Sequence, residues 1–296
     1  MGENSAPDNG TAAGGNGRPF SEKVATRIFY PTSRPSEKAL RAAVSERVVL
    51  ITGSSHGIGK AAAKKLAAAG ATVLLVARSR DDLDQVAAEI RAEGGTAHVH
   101  PADMTDMDAV AALAQALLAE HGHIDVVINN AGKSIRRSIE KSYDRFHDFT
   151  RTMDVNYLGP VRLLLVLLPA MRARRDGHII NISTWGLRMP PAPRWAAYGA
   201  SKGAFDIWLR TIATEIIHDN VRTTSIYMPL VHTRMSAPTD FSGVPGLTAA
   251  EAADLICHAV VSKPLDISPW WTGPVQAFSD LRRAAAQRFM QRNYRR

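Results

Sequence analysis

The chain has 296 residues, 45% of them hydrophobic and 22% charged, which supplies enough apolar mass for one large domain or two small ones. Its net charge of +8 sits at the ends, +2 on residues 1–45 and +6 on residues 281–296, so the neutral body excludes a wide cationic face for nucleic acid. One cysteine, Cys257, excludes an intramolecular disulfide or a cysteine-rich metal site, and no metal is expected.

Residues 1–17 are rich in Gly, Asn and Ala and predict a disordered tail without a secretory h-region. An extension to residue 45 follows, with a short helix at Ser36–Val44. From there the pattern alternates regularly. Arg47–Thr52 reads as a strand buried on both faces, and Gly59–Ala69 as a helix closed by Gly70. Thr72–Ala77 is the second strand, Asp81–Glu93 a helix, Thr96–His100 the third strand and Asp106–His121 a helix. Asp125–Asn129, His178–Ser183 and Arg222–Tyr227 complete the predicted strands. Helices are expected at Tyr143–Arg174, Ala197–Asp219 and Ala249–Val261. Alternation of this kind predicts an α/β fold, a doubly wound parallel sheet of Rossmann-like form with helices on both faces. This alternating domain is expected over 46–265 and a basic tail over 266–296. No uninterrupted apolar run reaches the roughly 18 residues of a membrane span. The stretch Val161–Ala170 contains Arg162 and Pro169, and a soluble, cytoplasmic protein is the expectation.

The first strand runs into Thr52-Gly53-Ser54-Ser55-His56-Gly57-Ile58-Gly59 and then a helix. Glycines at 53, 57 and 59 let backbone approach a pyrophosphate, which meets the positive helix end, with Ser55, His56 and Ile58 lining the turn. The second strand ends in Ala77-Arg78-Ser79-Arg80 with no acid until Asp81. A basic residue there pairs with the 2′-phosphate of NADP, so Arg78, helped by His56 and Ser79, points to NADPH.

Tyr198 and Lys202 lie four apart at a helix start, on one face. A phenol serves as proton donor when a neighbouring ammonium lowers its pKa. Ser183-Thr184 closes the preceding strand with hydroxyls able to hold a carbonyl oxygen. Thr52–Gly59, Asn129-Asn130-Ala131-Gly132, Asn156 and Tyr198-x-x-x-Lys202 together resemble the motifs of the short-chain dehydrogenases/reductases, in that family's order across 46–235. The resemblance implies Tyr198 as proton donor, Lys202 on the nicotinamide ribose and Asn156 holding a water that links Lys202 to solvent. It also implies Asn130, Ala131, Gly132 and Asp103 on the adenosine side, and Pro229 and Thr233 flanking the nicotinamide. Three readings compete for the family's catalytic serine. Counting from Gly177 selects Thr184, and the Ser-x-x-Gly pattern at Gly186 selects Ser183. Thirteen residues before Tyr198 stands Trp185, which has no hydroxyl, so the loop carries an insertion. Strand alternation favours Thr184.

Asn129–Met153, Arg194–Asp206, Thr224–Thr239 and Glu251–Asp254 resemble bacterial fatty acyl-CoA reductases and, equally, mycobacterial reductases of the 3-oxo group in mycolate precursors. That likeness implies a small-molecule, long-chain acyl substrate, reduced from acyl-CoA to aldehyde or from 3-oxoacyl to 3-hydroxyacyl. It implies a homo-oligomer as well. Met228–Leu247 would form a mobile, apolar-leaning flap. Arg136, Arg137 and Arg194 either meet phosphate or carrier groups or form a solvated face. The alternatives are a reductase of another ketone/alcohol pair and a non-catalytic NADP-binding scaffold. In the tail, Trp270, Trp271, Val275, Phe278, Leu281, Ala285 and Phe289 approximate one helical stripe among arginines. Such a helix either lies on an anionic membrane surface or docks on its own or a partner subunit.

Overall fold

The computed structural model describes residues 20–294 apart from 31, 240, 242 and 243, so the predicted disordered tail lies outside the described residues. Among those described, seven parallel strands form one sheet in the order β3-β2-β1-β4-β5-β6-β7. They are β1 (Val48–Thr52), β2 (Thr72–Ala77), β3 (Thr96–Pro101), β4 (Val126–Asn129), β5 (Gly177–Thr184), β6 (Val221–Met228) and β7 (Asp266–Ile267). From β1 the order runs outward through β2 and β3 on one side and through β4 to β7 on the other. The carboxyl ends of β1 and β4 therefore frame the crevice where doubly wound sheets take their ligands. The α/β doubly wound class is the one the chain adopts.

Continuous apolar strands follow from two cores. Val49, Ile51, Val73 and Leu75 pack in the layer shared with α3 (Gly57–Ala68), α4 (Arg80–Ala92) and α9 (Ala249–Ser262). Leu50, Leu74 and Val76 pack in the opposite layer, with α5 (Met107–His121), α7 (Gly159–Arg174) and α8 (Ala196–Ile216). Neither face of these strands meets water, so no polar alternation survives in the sequence. Helix starts are set by caps: Ser79 accepts from Asp82 N, Asp106 from the N–H groups of Asp108 and Ala109, and Thr248 with Glu251 forms a capping box. A polar row crosses the buried centre. Asn129, Asn181 and Ser225 stand in register on β4, β5 and β6, and Ser225 Oγ donates to Asp206 Oδ1 of α8 at 3.1 Å.

The predicted helix at Tyr143–Arg174 is shorter and interrupted. A 3-10 turn covers Ile139–Ser142, α6 begins at Phe146 and ends at Met153, and a π-turn at Asp154–Leu158 leads into α7. Pro160 has no N–H to complete an α-helical ladder there, and Asn156 turns its side chain onto the chain after β4 instead. The run Phe146–Arg174 is long and apolar enough, by length and composition, to cross a membrane. Its Leu163, Leu164, Leu167 and Met171 belong to the core.

Both ends of the described chain differ from expectation. Phe20–Phe29 is a helix, α1, ahead of α2 (Glu37–Val44) in the chain, and the sheet extends past residue 265 through β7. The expected single tail helix is two helices, α10 (Thr272–Leu281) and α11 (Arg283–Tyr294), broken at Arg282. Trp270 and Trp271 precede α10, and their indole N–H groups donate to the carbonyls of Ile28 and Phe29, both at 3.1 Å. That part of the stripe docks on the chain's own first helix.

Candidate active site

At the end of β1 the backbone turns back on itself. Gly53 adopts φ +68°, and a Cβ there would lie 2.9 Å from the Ala131 Cα. A Cβ on Gly59 would lie 2.3 Å from the Gly53 carbonyl oxygen, closer than any side chain permits. Gly57, at φ +55°, faces the Thr233 methyl, so the segment after β6 reaches over the turn. His56 caps α3 without a side-chain hydrogen bond, which leaves the first N–H groups of that helix, from Ile58 onward, open toward the turn. Ser55 Oγ lies 3.0 Å from His56 Nδ1, and the exposed His56 ring lies 4.0 Å from Asp82. This cradle of small residues at an uncapped helix end fits a dinucleotide pyrophosphate.

Thr52, the first residue of the glycine motif, holds the turn to β4. Its hydroxyl accepts the N–H groups of Asn130 and Ala131, at 3.1 and 3.0 Å. Asn130 returns both contacts, its amide donating to the carbonyls of Thr52 and Gly53 at 3.0 Å. Strand spacing in sequence carries no sign of this clamp, because β4 lies 77 residues away. Asp103 accepts from the Thr105 N–H and hydroxyl, both at 2.9 Å, in the loop after β3. Arg78 is exposed at the end of β2. Burial, together with the charges of Arg151 and Arg78, lowers the pKa of Lys133, so three cations share one field beside the crevice.

Tyr198, Thr184, Lys202 and Asn156 are brought together. The Thr184 side chain hydrogen-bonds the Tyr198 phenol and opposes, without overcoming, the rise in pKa that burial imposes on Tyr198. Lys202 is buried at the next turn of α8, and its ammonium donates to the Ile182 carbonyl at 2.8 Å. Burial pulls Lys202 down to about 8. The expected depression of the phenol by Lys202 is absent from this arrangement, since the ammonium is directed to β5. Asn156 accepts from Lys133 N and donates to Lys133 O and Ser201 Oγ, each at 2.9 Å. A Cβ on Gly132 would fall 2.9 Å from Asn156 Oδ1 and 3.4 Å from Lys202 Nζ, so these three positions meet. Ser183 points elsewhere. It is buried, and its hydroxyl makes no hydrogen bond.

Around this group the flap is anchored at its base, where Val231 pairs with Leu247 after the buried Pro229. Thr233 N donates to Ser236 Oγ at 3.0 Å. Arg137 is committed to protein, donating from Nε to Asp148 at 2.8 Å. Arg145 and Arg137 hold Asp148 below the usual carboxylate range. Arg136 and Arg194 are exposed.

A phenol, a hydroxyl and an ammonium at the carboxyl end of a parallel sheet, facing a dinucleotide cradle, define an oxidoreductase. The chain belongs to the short-chain dehydrogenase family, matching the family "short chain dehydrogenase" over residues 47–241. It is 52% identical over 229 residues to an uncharacterized oxidoreductase of Mycobacterium tuberculosis, covering 76% of this chain and 67% of that protein. It is 51% identical over 233 residues to a fatty acyl-CoA reductase of Acinetobacter baylyi, covering 78% of this chain and 79% of the relative. A metagenomic short-chain oxidoreductase solved in complex with NADP superposes with a TM-score of 0.67 at 32% identity, covering 76% of this chain and 97% of the other.

Proposed function

We propose that this oxidoreductase uses NADPH to reduce the carbonyl of a long-chain acyl substrate. The carrying observation is the meeting of Tyr198, Thr184 and Lys202 beside the glycine cradle. The acyl class is supported by similarity to the Acinetobacter baylyi fatty acyl-CoA reductase. NADPH, when bound, supplies the hydride. Gly53, Ser55, His56, Gly57, Ile58 and Gly59 hold its pyrophosphate, and Arg78 takes the 2′-phosphate. Asp103, Asn130, Ala131 and Gly132 line the adenosine side, and Pro229 and Thr233 the nicotinamide.

Tyr198 donates its proton to the substrate oxygen while Thr184 holds that oxygen. Lys202, one helical turn further on and held by the Ile182 carbonyl, is placed to hold the nicotinamide ribose. Asn156 fixes the chain around Lys133 and steadies the helix turn behind Lys202. With an acyl-CoA, one hydride and one proton release free thiol and leave an aldehyde. With a 3-oxoacyl thioester they give the 3-hydroxyacyl product and the thioester survives.

NADPH oxidation is followed with a long-chain acyl-CoA and a matched 3-oxoacyl thioester. Turnover of the simple acyl-CoA with aldehyde release is the expected result. Turnover of the 3-oxo compound alone moves the assignment to ketone reduction. Tyr198→Phe is expected to lose about a hundredfold or more in kcat while binding NADPH, within the range for general acids. Tight NADPH binding without turnover of either thioester refutes the acyl assignment. Exposed Phe278, Leu281 and Phe289 among the tail arginines support peripheral contact with an anionic membrane by a cytoplasmic protein. Co-sedimentation with anionic but not neutral vesicles tests it. Exposed Leu158, Leu165 and Ile207 on the helices after β4 and β5 support a homo-oligomer.

A further inference from the structure

β3 is the edge strand of the sheet, at the far side from β5. Its Ala97 and Val99 pack into the layer of α3 and α4, so His98 and His100 face the opposite layer, toward α5. The last turn of α5 brings Glu120 and His121 against them. The His98 and His121 rings stand edge to face with centroids 5.0 Å apart. His98 Nδ1 lies 3.8 Å, and His121 Nε2 3.5 Å, from the same Glu120 oxygen, and the three ligand atoms all fall within 4.8 Å of one another.

Those spacings match the edges of a coordination polyhedron. A tetrahedral zinc ion with bonds of about 2.0–2.1 Å keeps its ligand atoms about 3.4 Å apart. Two of the three edges are already within about half an ångström of that value. The second observation is independent of the spacing. The His121 side chain is only 10% exposed, yet its Nε2, aimed at this cluster, makes no hydrogen bond. The His100 Nε2, on a ring 6.0 Å from that of His121, is likewise buried without a partner. Buried polar atoms left unpaired are rare and call for a ligand that these side chains alone do not supply.

We propose that His98, Glu120 and His121 bind one zinc-class divalent cation, with the fourth position open to water or to His100. Two imidazoles and a carboxylate suit Zn²⁺ better than Mg²⁺ or Ca²⁺, which prefer oxygen ligands. The ion ties the edge strand to the end of α5. It lies at the sheet edge opposite β5 and takes no part in hydride transfer. Its gain is stability, which rises with free metal because the unfolded chain does not assemble the site. Cys257, the sole thiol, is buried in the other core layer and does not compete.

Tag-free, chelator-stripped protein is titrated with Zn²⁺ against a chromophoric chelator, and separately with Co²⁺ while visible absorption is read. The expected result is one Zn²⁺ per chain at micromolar concentration, a tetrahedral Co²⁺ band, and a rise in melting temperature of several degrees. His121→Ala on the helix and His98→Ala on the strand should each weaken binding at least tenfold. Retained NADPH binding by either variant shows that it is folded. Failure to take up one equivalent, or uptake unchanged in both variants, overturns the assignment.

Discussion

His178 near the start of β5 is 1% exposed, with its Nε2 2.9 Å from Thr224 Oγ1. The Thr224 hydroxyl donates to the Pro264 carbonyl, so Nε2 carries the proton and donates to Thr224. Nδ1 is buried and has no partner. Burial, reinforced by the nearby Lys263 charge, pushes the imidazole from 6.5 down to about 3. Between those two values the unfolded chain binds a proton that the folded chain refuses, so stability falls as pH falls. Above about pH 7 the residue contributes no pH dependence. At about 1.4 kcal/mol per unit, the loss is about 2 kcal/mol at pH near 5 and about 4 kcal/mol on approaching pH 3. Urea unfolding followed by tryptophan fluorescence, near pH 7.5 and near pH 5, measures it against His178→Gln, which keeps a donor for Thr224. The wild type should lose about 2 kcal/mol more than the variant across that interval. Equal losses would refute the claim that the fold holds His178 neutral.

Thr184→Val should lower kcat by about a hundredfold, the scale for losing a hydroxyl that holds a developing oxyanion, whereas Ser183→Ala should change it less than about threefold. Equal effects in steady-state kinetics would return the catalytic hydroxyl to Ser183. Gly59→Ala places a methyl 2.3 Å from the Gly53 carbonyl oxygen and 2.7 Å from Asn130 Nδ2, so the turn must open. Its NADPH dissociation constant, read by nucleotide fluorescence, should rise at least tenfold with the fold intact by circular dichroism. Arg78→Ala should raise KM for NADPH about tenfold and leave KM for NADH unchanged, because a charge-assisted phosphate contact is lost only with the former. An equal rise for both nucleotides would remove Arg78 from cofactor selection.

Where burial is two-sided and local, the strands are legible in the sequence to within a residue or so. Thr72–Ala77 needs nothing beyond its own apolar run, and it forms as expected. Helix boundaries set by caps are equally local, as Ser79 and Asp106 illustrate. The interruption at Asp154–Leu158 is not local. Asn156 leaves the helical pattern because its amide is claimed by Lys133 and Ser201, residues 23 and 45 positions away. Within the candidate site, spacing puts Tyr198 and Lys202 on one face of a helix, and their roles come from the resemblance to the family's motif. Thr184 and Ser183 could not be separated by counting, because the loop from Trp185 to Trp195 carries the insertion. Backbone direction at the end of β5 separates them, turning one hydroxyl to the phenol and burying the other without a partner.

The two ends of the chain were the least legible, for a related reason. Phe20–Phe29 carries only a few apolar residues among charges, and the sequence around it gives no surface for them to bury against. The structure gives it hydrogen bonds from the Trp270-Trp271 pair, while Val24, Ile28 and Phe29 stay exposed. The two indoles donate to the last carbonyls of α1 across 242 positions, and Trp271 also packs on Tyr30 and Trp185. A helix C-terminus leaves such carbonyls without intrahelical partners, so indole donors there satisfy α1 and orient the start of α10 together. Trp271 thereby links the chain's first helix to the loop after β5, where Trp185 stands one residue beyond Thr184. The substrate preference of this oxidoreductase should therefore respond to changes at Trp271 as well as to changes in the catalytic group.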